Sequence, residues 1–290
     1  MADNPLITIS IPAYNLGSYL AKTLESILNQ TYQNFEVILV DDASTDRTPS
    51  TIAKYADKDD RIHAHYFQSH EGVSKARNYA INNAKGDIIV FVDGDDLLEP
   101  QYLEVMARGL SDPSVDLVAV GYNWGWRGGS GGGNQFREVS KTNAYASINR
   151  RGGDFGGYTW NKGFKMSIIR EHNIQFDESL DLAEDLLFTL TTFLLPTDFC
   201  STPAHYTQKS AVPIASSIQQ PGRCAARNKW FDSTSMTWHA RCSRKIYVKI
   251  CQRLPFRSMF AVILFHLNKS IFGGSFGFAK ICQISPAKIE

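Results

Sequence analysis

Apolar and polar positions alternate in regular blocks through the first 120 residues. Residues 6–12 form a short β-branched run, and Leu16, Leu20, Leu24, Ile27 and Leu28 then recur at a spacing that keeps one helical face apolar. A second continuous apolar run covers residues 35–40. Ser44 offers a helix N-cap, and Thr48-Pro49 opens a polar helix toward Ala56. Residues 61–67 predict a third strand carrying two histidines, 73–84 a helix, 87–92 a buried strand, 100–110 a helix and 116–120 a fifth strand. Strands separated by helices require crossover connections, so the pattern predicts a mostly parallel sheet with helices on both faces. In open sheets of this kind the site lies in the crevice at the carboxyl ends of the strands. Tyr14-Asn15, Asp41-Asp42 and Asp93-Gly94-Asp95-Asp96 follow strands there, so polar groups converge on one edge.

The texture changes after Gly121. Residues 125–134 are rich enough in glycine to predict a mobile loop beside the site, one that could close over a bound ligand. A Trp-containing turn, Tyr158-Thr159-Trp160-Asn161-Lys162, precedes a helix over 184–195. From 223 to 257 the chain carries nine Lys or Arg and a single acid, Asp232, while Trp230, Thr234, Trp238, Cys242, Ile246 and Ile250 recur every four residues. That is a basic amphipathic helix, suited either to an anionic membrane surface or to packing with its basic side solvated. The expected organisation is one domain over 1–215, with halves 1–121 and 122–215, and a basic, mainly helical region over 216–290.

Composition narrows the function. The 290 residues are 43% hydrophobic and 20% charged with net charge +1, which is globular and argues against a surface built for nucleic acid. Five cysteines without Cys-x-x-Cys spacing suit reduced thiols, not a disulfide framework or structural zinc. The first residues lack the basic start and apolar stretch of a signal peptide. The most apolar late window, 259–267, is about half a membrane span. The expected location is cytoplasmic, with peripheral contact to the inner membrane face if the basic helix meets lipid.

The chemistry concentrates in a few residues. Asp93 and Asp95, one residue apart past a buried strand, suit a hard divalent cation, although Asp-Gly is also common turn chemistry. Three acids in four positions call for a counter-charge. Asp41 ends an apolar strand on the crevice and could accept a hydrogen bond from a base or ribose. Arg77 falls within the apolar stripe Val73, Ala76, Ala80 and Ala84, so its guanidinium needs an anionic partner: a diphosphate, or an ion pair with Asp41 or Asp93. Glu184-Asp185 at a helix start is explained by the helix dipole alone. The seven histidines show no metal-ligand spacing, and none is given a role. Phosphate-loop and dinucleotide-binding motifs are absent.

Taken together, Ile9-Ser10-Ile11-Pro12-Ala13-Tyr14-Asn15, Val40-Asp41-Asp42-Ala43-Ser44-Thr45-Asp46, Gly72-Val73-Ser74-Lys75-Ala76-Arg77-Asn78 and Phe91-Val92-Asp93-Gly94-Asp95-Asp96 resemble the family 2 glycosyltransferases of GT-A fold. Trp160-Asn161-Lys162 and Ala183-Glu184-Asp185-Leu186-Leu187-Phe188 are similar to that family's acceptor-side segments. The resemblance covers about residues 5–195. It implies an α/β, Rossmann-like fold and an inverting, metal-dependent transfer from a UDP-sugar to an acceptor hydroxyl, in surface glycan, capsule or glycoprotein glycan assembly. It further implies that Pro12, Tyr14 and Asp41 hold the uracil end and Asp93 the ribose, with Ala13, Arg77 and Gly94 also in the donor-binding set. Asp95, with Asp93, would ligate Mn²⁺ or Mg²⁺, and Asp185 would be the general base. The acceptor would be a glycan or lipid-linked glycan. At Ala43 relatives often carry glycine, which bears on the turn more than on the chemistry. Trp160 suits either sugar stacking or the core. The competing readings are a non-catalytic nucleotide-sugar-binding module and a sugar nucleotidyltransferase. The latter would carry a Gly-rich basic loop where Pro12-Ala13-Tyr14-Asn15 stands.

Overall fold

The structure is a computed structural model, and it describes residues 4–123, 129–130, 136–140, 143–144, 148, 156–194 and 199–208. The chain divides into two units, Met1–Phe231 and Asp232–Glu290, and every described residue belongs to the first. The basic stretch 223–257 lies outside the described residues. Among the described residues no helix is long and apolar enough to cross a membrane.

The described chain runs β1 (Ile7–Ala13), α1 (Tyr19–Leu28), β2 (Phe35–Asp41), α2 (Thr48–Ala56), β3 (Ile62–Tyr66), α3 (Val73–Asn83), β4 (Ile88–Phe91), β5 (Leu97–Leu98) and α4 (Tyr102–Leu110). It continues through β6 (Leu117–Asn123), β7 (Gly129–Ser130), β8 (Arg137–Glu138), β9 (Lys162–Lys165), α5 (Met166–Glu171), α6 (Glu184–Leu194) and β10 (Phe199–Gln208). One sheet takes the order β3-β2-β1-β4-β9-β6-β10-β5, with β7 on β6 and β8 on β10. β3, β2, β1 and β4 pair in parallel, as do β6 and β10. β9 runs antiparallel to both its neighbours, so β6 and β10 still point the same way as β1–β4.

Alternation along the strands makes two cores. Ile7, Ile9 and Ile11 of β1 join Val37, Leu39, Ile88 and Val90 on one face, beneath Leu20, Leu24 and Ile27 of α1, Ile52 of α2, and Leu103, Met106 and Leu110 of α4. The intervening residues, Thr8 and Ser10 of β1 and Phe91 of β4, point the other way. α3 packs on β1 and β2 with Ala76 and Ala80 fully buried, small residues that let the helix lie close. Beyond it, Phe91 meets Phe164, Phe176 and Phe188 edge-on at centroid distances of 5.9, 5.1 and 5.4 Å, and Phe176 stacks on Phe188 at 4.2 Å. Each such pair contributes about 0.5–1.5 kcal/mol beyond its buried area, and the cluster fixes α6 against β4.

Two expectations are corrected. Ser44 does not cap α2, which starts at Thr48. Asp46 accepts the Thr48 N–H at 2.9 Å instead, and Ser44 accepts the Asn15 N–H at 2.9 Å. Val73 is not buried with Ala76 and Ala80 but 37% exposed. It opens α3, beyond the reach of the sheet, and Ser74 takes the buried position. Within the glycine-rich stretch, Gly129–Ser130 form β7 opposite Tyr122 and Asn123; its other residues lie outside the described set.

Candidate active site

The candidate donor edge is assembled by the ends of β1, β2 and β4 and the turns that follow them. After β1, Asn15 adopts φ 49°, its N–H donating to Ser44 Oγ and its Oδ1 accepting the Thr45 N–H at 2.9 Å. After β2, Asp41 is buried. Its Oδ2 accepts the Ser44 N–H at 3.2 Å, and its Oδ1 has no hydrogen-bond partner. A buried carboxylate oxygen without a partner costs free energy, which marks Asp41 as a candidate to accept a donor from a ligand. Asp42, also buried, accepts the Glu71 N–H at 2.6 Å, the Gly72 N–H at 2.9 Å and His70 Nδ1 at 2.8 Å. His70 in turn lies 4.3 Å from the Tyr14 ring. Asp42 thus closes the loop leading to α3 over the turn after β1. Sequence reading missed His70, since a lone histidine in a loop carries no spacing signal.

After β4, Asp96 donates its N–H to the Asp93 carbonyl at 3.0 Å, and Thr23 of α1 donates to the Gly94 carbonyl at 2.9 Å. A Cβ on Gly94 would displace the end of the Leu16 side chain and approach the Pro12 carbonyl at 3.3 Å, so glycine lets this turn lie close against the turn after β1. Pro12, Ala13, Tyr14, Asp41, Asp93, Gly94 and Asp95 therefore stand on adjoining strand ends.

Arg77 joins this edge to the other half of the domain. Its guanidinium, 4% exposed, donates from Nη2 to Asp93 Oδ1 and from Nη1 to Glu184 Oε1, both at 3.1 Å, with Asp185 Oδ1 at 4.0 Å. Burial alone would lower the Arg77 pKa, but the three carboxylates hold it above its usual value. Of the partners open for Arg77, the structure gives Asp93 and adds two acids 107 and 108 positions away, which no local pattern reveals. This cation is the counter-charge that the crowded acids need. Burial and the neighbouring Asp185 raise the Glu184 pKa, against the pull of Arg77. Glu184 and Asp185 open α6, and the residue before them, Ala183, takes φ 63°.

Trp160 is 4% exposed, packed between Tyr122 at 4.7 Å and Tyr158 at 5.2 Å, which makes it core. Lys162 is fully buried, with Nζ donating to the Gly156 carbonyl (2.7 Å), the Tyr158 carbonyl and Asn161 Oδ1 (2.9 Å). Burial pushes its pKa down to about 7, with Asp185 working in the opposite direction.

Asp93 and Asp95 supply hard oxygen donors for a cation. Among the described residues no group of three or more His, Cys, Asp or Glu could hold a metal by itself. Two carboxylates fit Mg²⁺ or Mn²⁺, ions that take one or two protein carboxylates and complete their shell with phosphates and water.

A mostly parallel, Rossmann-like sheet with acids at its strand ends places the protein in the GT-A fold class. TarS of Staphylococcus aureus, solved as residues 1–349 in complex with UDP-GlcNAc, superposes with TM-score 0.68 at 22% identity over 91% of this chain and 72% of that chain. The mannosyltransferase PcManGT from Pyrobaculum calidifontis, solved with GDP-Man and Mn²⁺, gives TM-score 0.62 at 21% identity over 93% of this chain and 70% of its own. The glycosyl transferase family 2 model matches residues 8–177, and the chain belongs to that family. EpsH of Bacillus subtilis is 30% identical over 213 residues, 70% of this chain and 61% of its own length. The chain thus spans less than two thirds of this curated relative.

Proposed function

We propose that the protein transfers a sugar from a UDP-sugar to an acceptor hydroxyl with inversion at the anomeric carbon, in the assembly of a bacterial-type surface polysaccharide. The observation that carries this reading is the Arg77 bridge, which brings Asp93 of the donor edge and Asp185 of α6 to one guanidinium. Asp41 Oδ1 accepts an N–H from the uracil ring, removing its buried deficit, while Pro12, Ala13 and Tyr14 wall the base. Asp93 and Gly94 would lie at the ribose, and Asp93 and Asp95 would hold Mn²⁺ or Mg²⁺. When bound, that cation neutralises charge on the departing diphosphate.

Asp185 takes the proton of the acceptor hydroxyl as its oxygen bonds to the anomeric carbon. The bond from that carbon to the diphosphate oxygen breaks, and its electron pair leaves with UDP. A single displacement turns an α-linked donor into a β-linked product. Glu184 is held by Arg77 at 3.1 Å and is 12% exposed, whereas Asp185 stands 4.0 Å from that guanidinium and is 20% exposed, so Asp185 is the acid open to an acceptor hydroxyl. The UDP-GlcNAc complex of TarS supports UDP as carrier, and the Mn²⁺ complex of PcManGT supports a divalent cation.

The test is a panel of UDP-sugars scored for UDP release in Mn²⁺, in Mg²⁺ and in EDTA. Metal-dependent release from at least one donor is expected. Absence of UDP binding by calorimetry in either metal overturns the reading.

A further inference from the structure

Lys162 is a buried amine that the proposed reaction does not use. Its three N–H groups match three acceptors, Gly156 O, Tyr158 O and Asn161 Oδ1, so none is left to donate to a substrate. Asn161 is itself fixed to β6: its Nδ2 donates to the Val120 carbonyl, and its own carbonyl accepts the Val120 N–H, both at 2.9 Å. Lys162 therefore gathers a turn that starts at Gly156 and anchors it in the sheet.

The turn bears on the proposed base. A Cβ added at Gly157 would lie 2.6 Å from Leu186 Cδ1 and 3.5 Å from Leu186 Cα, so the turn touches the first turn of α6 with nothing between. One helical turn on, Thr189 Oγ1 donates to the Gly157 carbonyl at 3.4 Å. Leu186 directly follows Asp185. The charged groups around Asp185 are Glu184 beside it, Arg77 with Asp93 behind it, and Lys162, whose pKa Asp185 raises against the effect of burial.

We propose that Lys162 is a positioning residue for Asp185: by drawing together Gly156, Tyr158 and Asn161 it makes the bed on which α6 begins, and so sets where the Asp185 carboxylate stands. This rests on Asp185 being the base. It differs from a lysine that only supports the fold because its effect on turnover must pass through Asp185.

The test is a double-mutant cycle on the full chain, using UDP release from the best donor of the panel in Mn²⁺. Lys162→Met should lower kcat about 100-fold, the loss expected when a group moves by about 1 Å. Donor KM and the calorimetric affinity for UDP should stay within about twofold, because the donor edge is built from other turns. In an Asp185→Asn background, Lys162→Met should cost nothing further. Gly157→Ala pushes on Leu186 from the same bed without touching Lys162, and should show the same dependence on Asp185.

Losses that multiply across the cycle, or a fall in UDP affinity that tracks the fall in kcat, overturn the proposal. Lys162→Gln keeps two N–H groups and is read in the same way if the Met variant does not fold. If neither variant folds, the lysine is a fold support only and the proposal fails. A wild-type chain that binds no UDP refutes the functional reading itself, separately from these variants, and this proposal with it.

Discussion

The two halves of the domain position their acids by opposite means. On the donor edge, Asp41 ends β2, while Asp42, Asp93 and Asp95 sit one to four residues past the end of a strand, and short backbone turns aim them. Across the site, Glu184 and Asp185 depend on partners far away in sequence: Arg77 on α3, Phe91 and Phe164 beneath Phe188, and the Lys162 turn beneath Leu186. Placement by strand ends is local and tolerant of change elsewhere. Placement by buried charge is cooperative, since removing one partner of a buried pair costs about 3–5 kcal/mol through the charge left behind. The two halves share one device. Asp42 is followed by Ala43 at φ 57° and Glu184 is preceded by Ala183 at φ 63°, so each pair of acids is flanked by a strained non-glycine residue. Such residues persist where surrounding structure over-determines them.

The largest effect should come from the donor edge. Asp95→Ala should lower metal-dependent UDP release at least about 1000-fold, since cation stabilisation of a leaving group is worth several kcal/mol. The thermal midpoint should hold, because this carboxylate adds little to packing. Near-normal turnover in Mn²⁺ would assign the cation elsewhere. Asp185→Asn should lower kcat about 100-fold or more by removing the base while leaving the amide in the same space. Stopped-flow mixing with excess donor would show whether the loss lies in the chemical step, as expected, or in donor capture.

A smaller effect separates the halves by its sign. Asp41→Asn should weaken UDP binding about tenfold, the magnitude of one hydrogen bond to a charged group. It should also raise thermal stability, because a buried oxygen without a partner no longer carries charge. Scanning calorimetry showing a drop in midpoint would mean that Asp41 supports the fold instead. Smallest of all, Ala43→Gly and Ala183→Gly should each stabilise the chain by up to about 1 kcal/mol. The relief of about 1–2 kcal/mol of left-handed strain is partly offset by the greater entropy of an unfolded glycine. Urea midpoints measure both. The account further expects Ala183→Gly alone to disturb kcat, since it loosens the start of α6.

Legibility in sequence follows the same division. β1–β4, α1–α4 and the acids at the strand ends were readable because periodicity and strand termini are local signals. So was the burial of Arg77, which fell on the apolar stripe. The correct partners Glu184 and Asp185 were not, as 107 and 108 residues intervene and no pattern links them. β9 was missed because Lys162 and Lys165 bracket a four-residue strand and mark it as surface. Both lysines are buried, and their ammonium groups are spent on carbonyl oxygens, with Lys165 reaching Asp112 and Pro113 at 2.9 Å. β10 was hidden by Pro203 and by the register shifts on either side of His205. His70 gave no signal until Asp42 and Tyr14 were seen around it.

The central claim is that the donor edge binds the nucleotide independently while α6 supplies the base. The most direct test is calorimetric titration of UDP, in Mn²⁺, into the wild-type chain, Asp41→Asn and Asp185→Asn side by side. The account predicts an affinity for Asp185→Asn equal to wild type and one about tenfold weaker for Asp41→Asn. The reverse pattern, with UDP lost on changing Asp185 and kept on changing Asp41, would contradict it.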